Sequence, residues 1–240
     1  MTAIAAVLLS AALAPTTVAS ASPIYDAAAD FSSTANPTGV WSYGVSTTLA
    51  GTVSLYTTRD SSGGIDYWGT GSFLIPPEVF KNSTNNIVTY RSIVLQPQQL
   101  ALHPGLANEY SVVRFTAPSA GNYSLAASFI GVDTGGLSYT STDVHILANN
   151  ISLFTGSVLG YGDKKTFAYT MTLNIGDRLD FSVGNLTGNY HNDSTGLSAT
   201  ITKLATPIPE IDTAGLGLIL ALVTGSLGYL EQHRSGEWVR

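Results

Sequence analysis

Trp41, Tyr43, Tyr67 and Trp68 are the side chains of this sequence best suited to bind a ligand. They lie in a Gly- and Ser-rich region, and an exposed aromatic ring offers a flat apolar face for the C–H surface of a sugar. Asn36, Arg59 and Asp66 are near them in the chain and would supply hydrogen bonds to hydroxyl groups. A second reading stays open. Trp41 and Tyr43 alternate onto one face of a strand and would serve equally well as core. Tyr67 and Trp68 are adjacent, so they must point to opposite faces, and one of the two would be exposed.

Other chemistry is thinly provided for. Acid–base cleavage of a glycoside needs two carboxylates about 5 Å or 6.5–9.5 Å apart. Asp66 and Glu78 are near in sequence but stand on either side of Ile75-Pro76-Pro77, and nothing brings them together. Most other aspartates fall in turns, where the side chain bonds to backbone N–H groups. His103, His145 and His191 lack metal-ligand spacing, and there is neither a Gly-x-Ser-x-Gly elbow nor a phosphate loop. The absence of cysteine removes thiol catalysis and Cys-based zinc sites. The sequence therefore reads as a non-enzyme, with a glycan-active enzyme as the third-ranked reading. Oxygen ligands are abundant, and Asp30, Asp133 and Asp193 are candidates for a structural calcium ion, although no spacing rule selects them. With a net charge of −6 and no basic patch, the chain is not built for nucleic acid. Asn-x-Ser/Thr sequons occur at Asn82, Asn122, Asn150, Asn185 and Asn192.

The elements that would position these residues are strands. Apolar residues repeat with period two in Tyr123-Leu125-Ala127-Phe129 and in Phe167-Tyr169-Met171-Leu173. After Asn174-Ile-Gly-Asp177 the pattern resumes at Leu179, Phe181 and Val183, so 166–184 reads as a hairpin. Further strands are expected at 40–47, 51–58, 65–73, 87–95 and 109–116, and around Val144, Ile151, Val158 and Leu197. Gly, Asn, Asp and Pro punctuate them. This is the pattern of an all-β chain, an antiparallel jelly-roll-like sandwich over residues 22–203, long enough to need no disulfide.

The two ends read differently. Residues 3–14 are apolar and lead to Ala19-Ser20-Ala21, a small-residue signature for signal-peptidase cleavage after Ala21, so 1–21 is expected to be a signal peptide. Residues 204–213 read as a linker carrying Pro209-Glu210-Ile211-Asp212, followed by an apolar run at 214–230 and a tail at 231–240 bearing Arg234 and Arg240. Seventeen helical residues give about 26 Å, the short edge of what can span a bilayer, and the arginines place the tail in the cytoplasm. Prolines at 207 and 209 would keep the motif extended for an enzyme.

This order of parts resembles the PEP-CTERM class of bacterial surface proteins, with the variant motif Pro-Glu-Ile-Asp at 209–212. The resemblance implies an exported envelope or extracellular-matrix protein, anchored through a C-terminal helix and processed by an exosortase-like enzyme, with exopolysaccharide as a partner. A second series runs through the body: Asp30-Phe31, Asn36-Pro-Thr-Gly-Val-Trp-Ser-Tyr-Gly44, Leu102-His-Pro-Gly105, Val113-Arg-Phe-Thr-Ala-Pro118 and Thr142-Asp-Val-His-Ile-Leu147. It is similar to a β-sandwich domain of exported bacterial proteins with likeness to non-catalytic carbohydrate-binding modules. That resemblance implies the fold, and a surface carbohydrate-binding module as the alternative function.

Overall fold

The period-two alternation produces strands wherever it occurs, and their inward residues meet in one core. The computed structural model describes residues 21–72, 75–135 and 140–205, and no helix occurs among them. The signal-peptide, sorting-motif and membrane-helix expectations at 1–20 and 206–240 lie outside the described residues. Among the described residues no helix is long and apolar enough to cross a membrane.

Two antiparallel sheets face each other. Strands are numbered along the chain. The first sheet runs β14 (Lys164–Leu173), β11 (Gly121–Gly131), β16 (Thr195–Lys203), β9 (Leu100–His103), β6 (Glu78–Asn82), β5 (Ile65–Gly69) and β4 (Thr58–Ser62), with β1 (Ile24–Asp26) paired beside β16. The second runs β13 (Ile151–Leu159), β12 (Ser141–Ala148), β15 (Arg178–Gly184), β10 (Tyr110–Thr116), β2 (Trp41–Ser46) and β3 (Ser54–Leu55). A separate hairpin, β7 (Val88–Tyr90) with β8 (Ile93–Leu95), completes the described strands. The all-β, antiparallel sandwich is therefore as expected. The 166–184 segment is not a hairpin: the turn at 174–177 forms, but β14 and β15 part into opposite sheets. Both strands alternate in the same way because each feeds the same core from its own layer.

That core contains Trp41, Phe115 and Phe181 from the second sheet and Trp68, Tyr123, Phe129 and Leu197 from the first. Trp41 and Phe115 meet edge-on at 5.4 Å between ring centroids. A second, smaller cluster lies on the outer side of the first sheet. There Ile65, Tyr67, Phe80 and Ala101 are covered by Ile93 and Leu95 of the hairpin and by Val132. Tyr67 and Trp68 do point to opposite faces, but each face has its own cover, and both are buried at 1 % and 5 % exposure. Trp41 and Tyr43 are buried as well.

The N-terminal segment satisfies the indole N–H groups of Trp41 and Trp68. Trp41 Nε1 donates to Asp30 Oδ2 at 3.1 Å, and Trp68 Nε1 donates to the Ser32 carbonyl at 2.7 Å. The Asn36 amide bonds the backbone of Tyr43 in both directions and donates to the Tyr56 carbonyl at 2.9 Å. Asn36 thus ties β2 to the residue after β3, where the Tyr56 N–H also donates to the Tyr43 carbonyl at 3.0 Å. Trp68→Ala should therefore cost about 3–5 kcal/mol of stability through cavity formation. Urea denaturation checks this, and a loss below ~1 kcal/mol would place Trp68 at the surface.

Candidate functional site

At one end of the outer face of the first sheet, the cover formed by the hairpin stops short. Glu78 and His103 are cross-strand partners on β6 and β9, on the same face as Phe80 and Ala101. Beyond the apolar cover they form the floor of a cleft of about 210 Å³. Its walls include Arg91 and Ser92 from the β7–β8 turn, Asp133 after β11, and Tyr190, His191, Asn192 and Ser194 before β16. Arg91 occupies the left-handed backbone region at φ 53°, which the tight two-residue turn imposes.

The lining is polar and mostly fixed in place. Asp133, 1 % exposed, has Ser92 Oγ at 2.8 Å from Oδ1 and accepts the Ser194 backbone N–H at 2.6 Å on Oδ2. Ser92 Oγ also stands 2.9 Å from Asn192 Oδ1, so the hairpin turn lies against the wall opposite. His103 Nδ1 donates to the Pro104 carbonyl at 2.9 Å, so in the neutral ring Nε2 carries the lone pair. The Tyr190 ring lies edge-on to His103 at 6.3 Å and tilted on His191 at 4.2 Å. Ser194 Oγ is fully buried and has no hydrogen-bond partner.

The structure redistributes the residues singled out in the sequence. Trp41, Tyr43, Tyr67 and Trp68 are core side chains and offer no ring face to a ligand; the expectation that one of Tyr67 and Trp68 would be exposed is corrected by the hairpin cover. Of their expected helpers, Asn36 is spent on backbone, Arg59 donates to the Ser33 carbonyl at 3.1 Å, and Asp66 is held by the Ser61 and Ser83 hydroxyls. Asp66 pairs in register with Lys81 and shares the opposite face from Glu78, so those two carboxylates do not converge. Glu78 instead shares the cleft with Asp133. Of the calcium candidates, Asp30 binds Trp41 and the Asp26 backbone, well apart in the fold from Asp133 and Asp193. Among the described residues no three His, Asp or Glu side chains are grouped to hold a metal. His145 bridges Asp143 and Thr155 on the outer face of β12, away from the cleft. The sequon amides Asn82 and Asn185 are buried and donate to backbone carbonyls, whereas Asn122 and Asn150 are exposed.

No protein-family profile matches the chain, and no curated protein matches it in sequence. Solved structures do align. A CBM51 module from Clostridium perfringens GH95, in complex with methyl-galactose, is 13% identical, covering 62% of this chain and 94% of its own, with a TM-score of 0.34. A family 35 carbohydrate-binding module from Clostridium thermocellum is 10% identical, covering 77% and 100%, at a TM-score of 0.32. Rabbit GITRL is 15% identical, covering 39% and 73%, at 0.29. At such scores the likeness assigns neither ligand nor activity to this chain.

The protonation of His103 is set by its surroundings. Burial pushes its pKa below the ordinary 6.5, and His191 adds to this, against the opposing pull of the Pro104 carbonyl and Asp133. The native state then holds a neutral ring where the unfolded chain binds a proton, so stability falls as pH drops below 6.5 toward the depressed native value. His103→Gln should flatten that part of the acid slope in denaturant titrations. An unchanged slope would assign it to other groups.

Proposed function

We propose that the domain is a non-enzymatic carbohydrate-binding module that takes one sugar unit in the Glu78–His103–Ser194 cleft. The observation that carries this is the lining, in which a buried hydroxyl without a partner lies among fixed acceptors and beside an aromatic ring. An unmet buried polar atom costs about 1–3 kcal/mol, which a ligand hydroxyl recovers. A sugar presents hydroxyls that both donate and accept, as Ser194 and His103 Nε2 require, and an apolar C–H face that suits Tyr190. The cleft is smaller than the ~300–1,000 Å³ typical of drug-sized ligands, in keeping with a single ring. Two carboxylates, Glu78 and Asp133, line it, but both oxygens of Asp133 already accept hydrogen bonds from Ser92 and Ser194. That favours holding a ligand over transferring its protons.

Retention on immobilised polysaccharides and glycan arrays tests the reading. Tyr190→Ala and Ser194→Ala should each weaken binding about tenfold while leaving the fold intact, roughly the value of one lost contact. Failure of the unaltered protein to bind any glycan would remove the proposal.

We further propose that this module works at the cell surface or in the extracellular matrix, brought there by its signal peptide and by sorting at Pro209–Asp212. Support comes from the order of parts at 207–240 in the sequence. Mass spectrometry of the mature protein from a producing strain should find a C-terminus upstream of the apolar run. A chain still ending at Arg240 beside an active exosortase would count against processing.

A further inference from the structure

The last strand of an open sheet presents backbone N–H and C=O groups ready to pair with another chain, and proteins blunt such edges with charge, shortness or bulges. Three of the four end strands of the two facing sheets are blunted in this way. β4 is five residues long and carries Arg59 and Asp60, and β3 has two residues. β13 meets its neighbour β12 through a register shift between Ile146 and Leu147. β14 is the exception. It pairs with β11 over ten consecutive residues with no shift in register, and it contains no proline. Residues 166–173 carry no charge, and the only cations of the strand, Lys164 and Lys165, stand at one end.

The inward face of β14 is also short of cover. Phe167, Tyr169 and Met171 lie across the ladder from the core residues Ala127, Leu125 and Tyr123. Phe167 and Met171 are nevertheless only partly buried against that core, and Tyr169 is 51 % exposed. Phe167 meets Phe154 of β13 at 5.3 Å between ring centroids and stacks on Tyr169 at 6.0 Å. An aromatic strip therefore runs along the side of the sandwich where β13 and β14 end their sheets.

What fits this edge is written in the strand itself. Thr166-Phe-Ala-Tyr-Thr-Met-Thr172 has nearly the same chemistry read in either direction about Tyr169. Antiparallel pairing of two copies about that residue sets Thr166 against Thr172, Phe167 against Met171, Ala168 against Thr170 and Tyr169 against itself. Each of these is a favourable cross-strand pair, and each residue keeps its own face of the sheet. Charge agrees as well. Lys164, which forms no ion pair among the described residues, would stand opposite Asn174 of the second copy, with Asp177 in the turn just beyond.

We propose that the protein forms a twofold dimer in which β14 pairs antiparallel with β14 of a second copy, centred on Tyr169. Such an interface is self-complementary, joins two sheets edge to edge and covers the aromatic strip. It is independent of whether the cleft takes a sugar, because the cleft floor is on β6 and β9.

Sedimentation of the purified full-length protein from about 1 to 100 µM should show a species of twice the monomer mass that dissociates on dilution. Tyr169→Lys places two ammonium groups face to face across the axis and should raise the dissociation constant at least about tenfold. At the lowest concentration its melting temperature should match that of the parent, and Tyr169→Phe should dimerise as the parent does. The chain has no cysteine, so Tyr169→Cys supplies a single thiol that should oxidise to a disulfide-linked dimer. Ile175→Cys, equally accessible but away from the axis, should not. A monomer at every concentration overturns the proposal. So does a dimer that survives Tyr169→Lys unweakened and cross-links no faster at 169 than at 175, since its interface then lies elsewhere.

Discussion

Burial of β5, β6 and β9 on both faces is the constraint on which the rest of the structure depends. On the inner side they pack Trp68, Val79, Leu100 and Leu102 into the main core. On the outer side Ile65, Tyr67, Phe80 and Ala101 need a cover, and the β7–β8 hairpin supplies it. A sheet face that would otherwise meet water becomes a third layer, held down by backbone bonds such as Val94 N–H to the Val132 carbonyl at 2.9 Å. The cleft exists because that layer ends before the sheet does. Its polarity follows, since the floor positions past the apolar cover are Glu78 and His103.

The same constraint decides what was legible in the sequence. Strands that set polar residues against apolar ones alternate cleanly, whether the polar face is wet as in β11 and β14 or covered as in β15, so they could be read from their periodicity. Strands that turn apolar residues to both faces do not alternate. β6 reads Glu-Val-Phe-Lys-Asn and β9 reads Leu-Ala-Leu-His, and neither declared itself as a strand. Those two strands carry the cleft floor, so the site was hidden along with them. Asp133 and the 190–194 segment looked like turn residues, which they are; only the fold shows that their turns meet. The one available signal was the position of His103 beside Pro104-Gly105, a polar residue ending an apolar run.

The aromatics illustrate the opposite error. Trp41, Tyr43, Tyr67 and Trp68 have the side chains that bind sugars, and the same size and flatness make them good core. What settles the matter is a partner for each indole N–H, and Asp30 and Ser32 provide them from inside the protein. A tryptophan whose N–H is met internally has no need of the surface. Tyr190, on a loop and half-buried, is the kind of aromatic left over for a ligand.

The pairing of β1 with β16 joins Ile24 to Thr202 and Asp26 to Thr200, nearly the whole described chain apart. The Ala27 N–H adds a bond to the Ala199 carbonyl at 2.9 Å. Contacts of such long sequence separation make folding slow, because loop closure must precede any gain from them. β16 also lies at the centre of its sheet, between β11 and β9. β16 is the last of the described strands, so during synthesis its sheet cannot be joined across the middle until the chain has been made at least to Lys203.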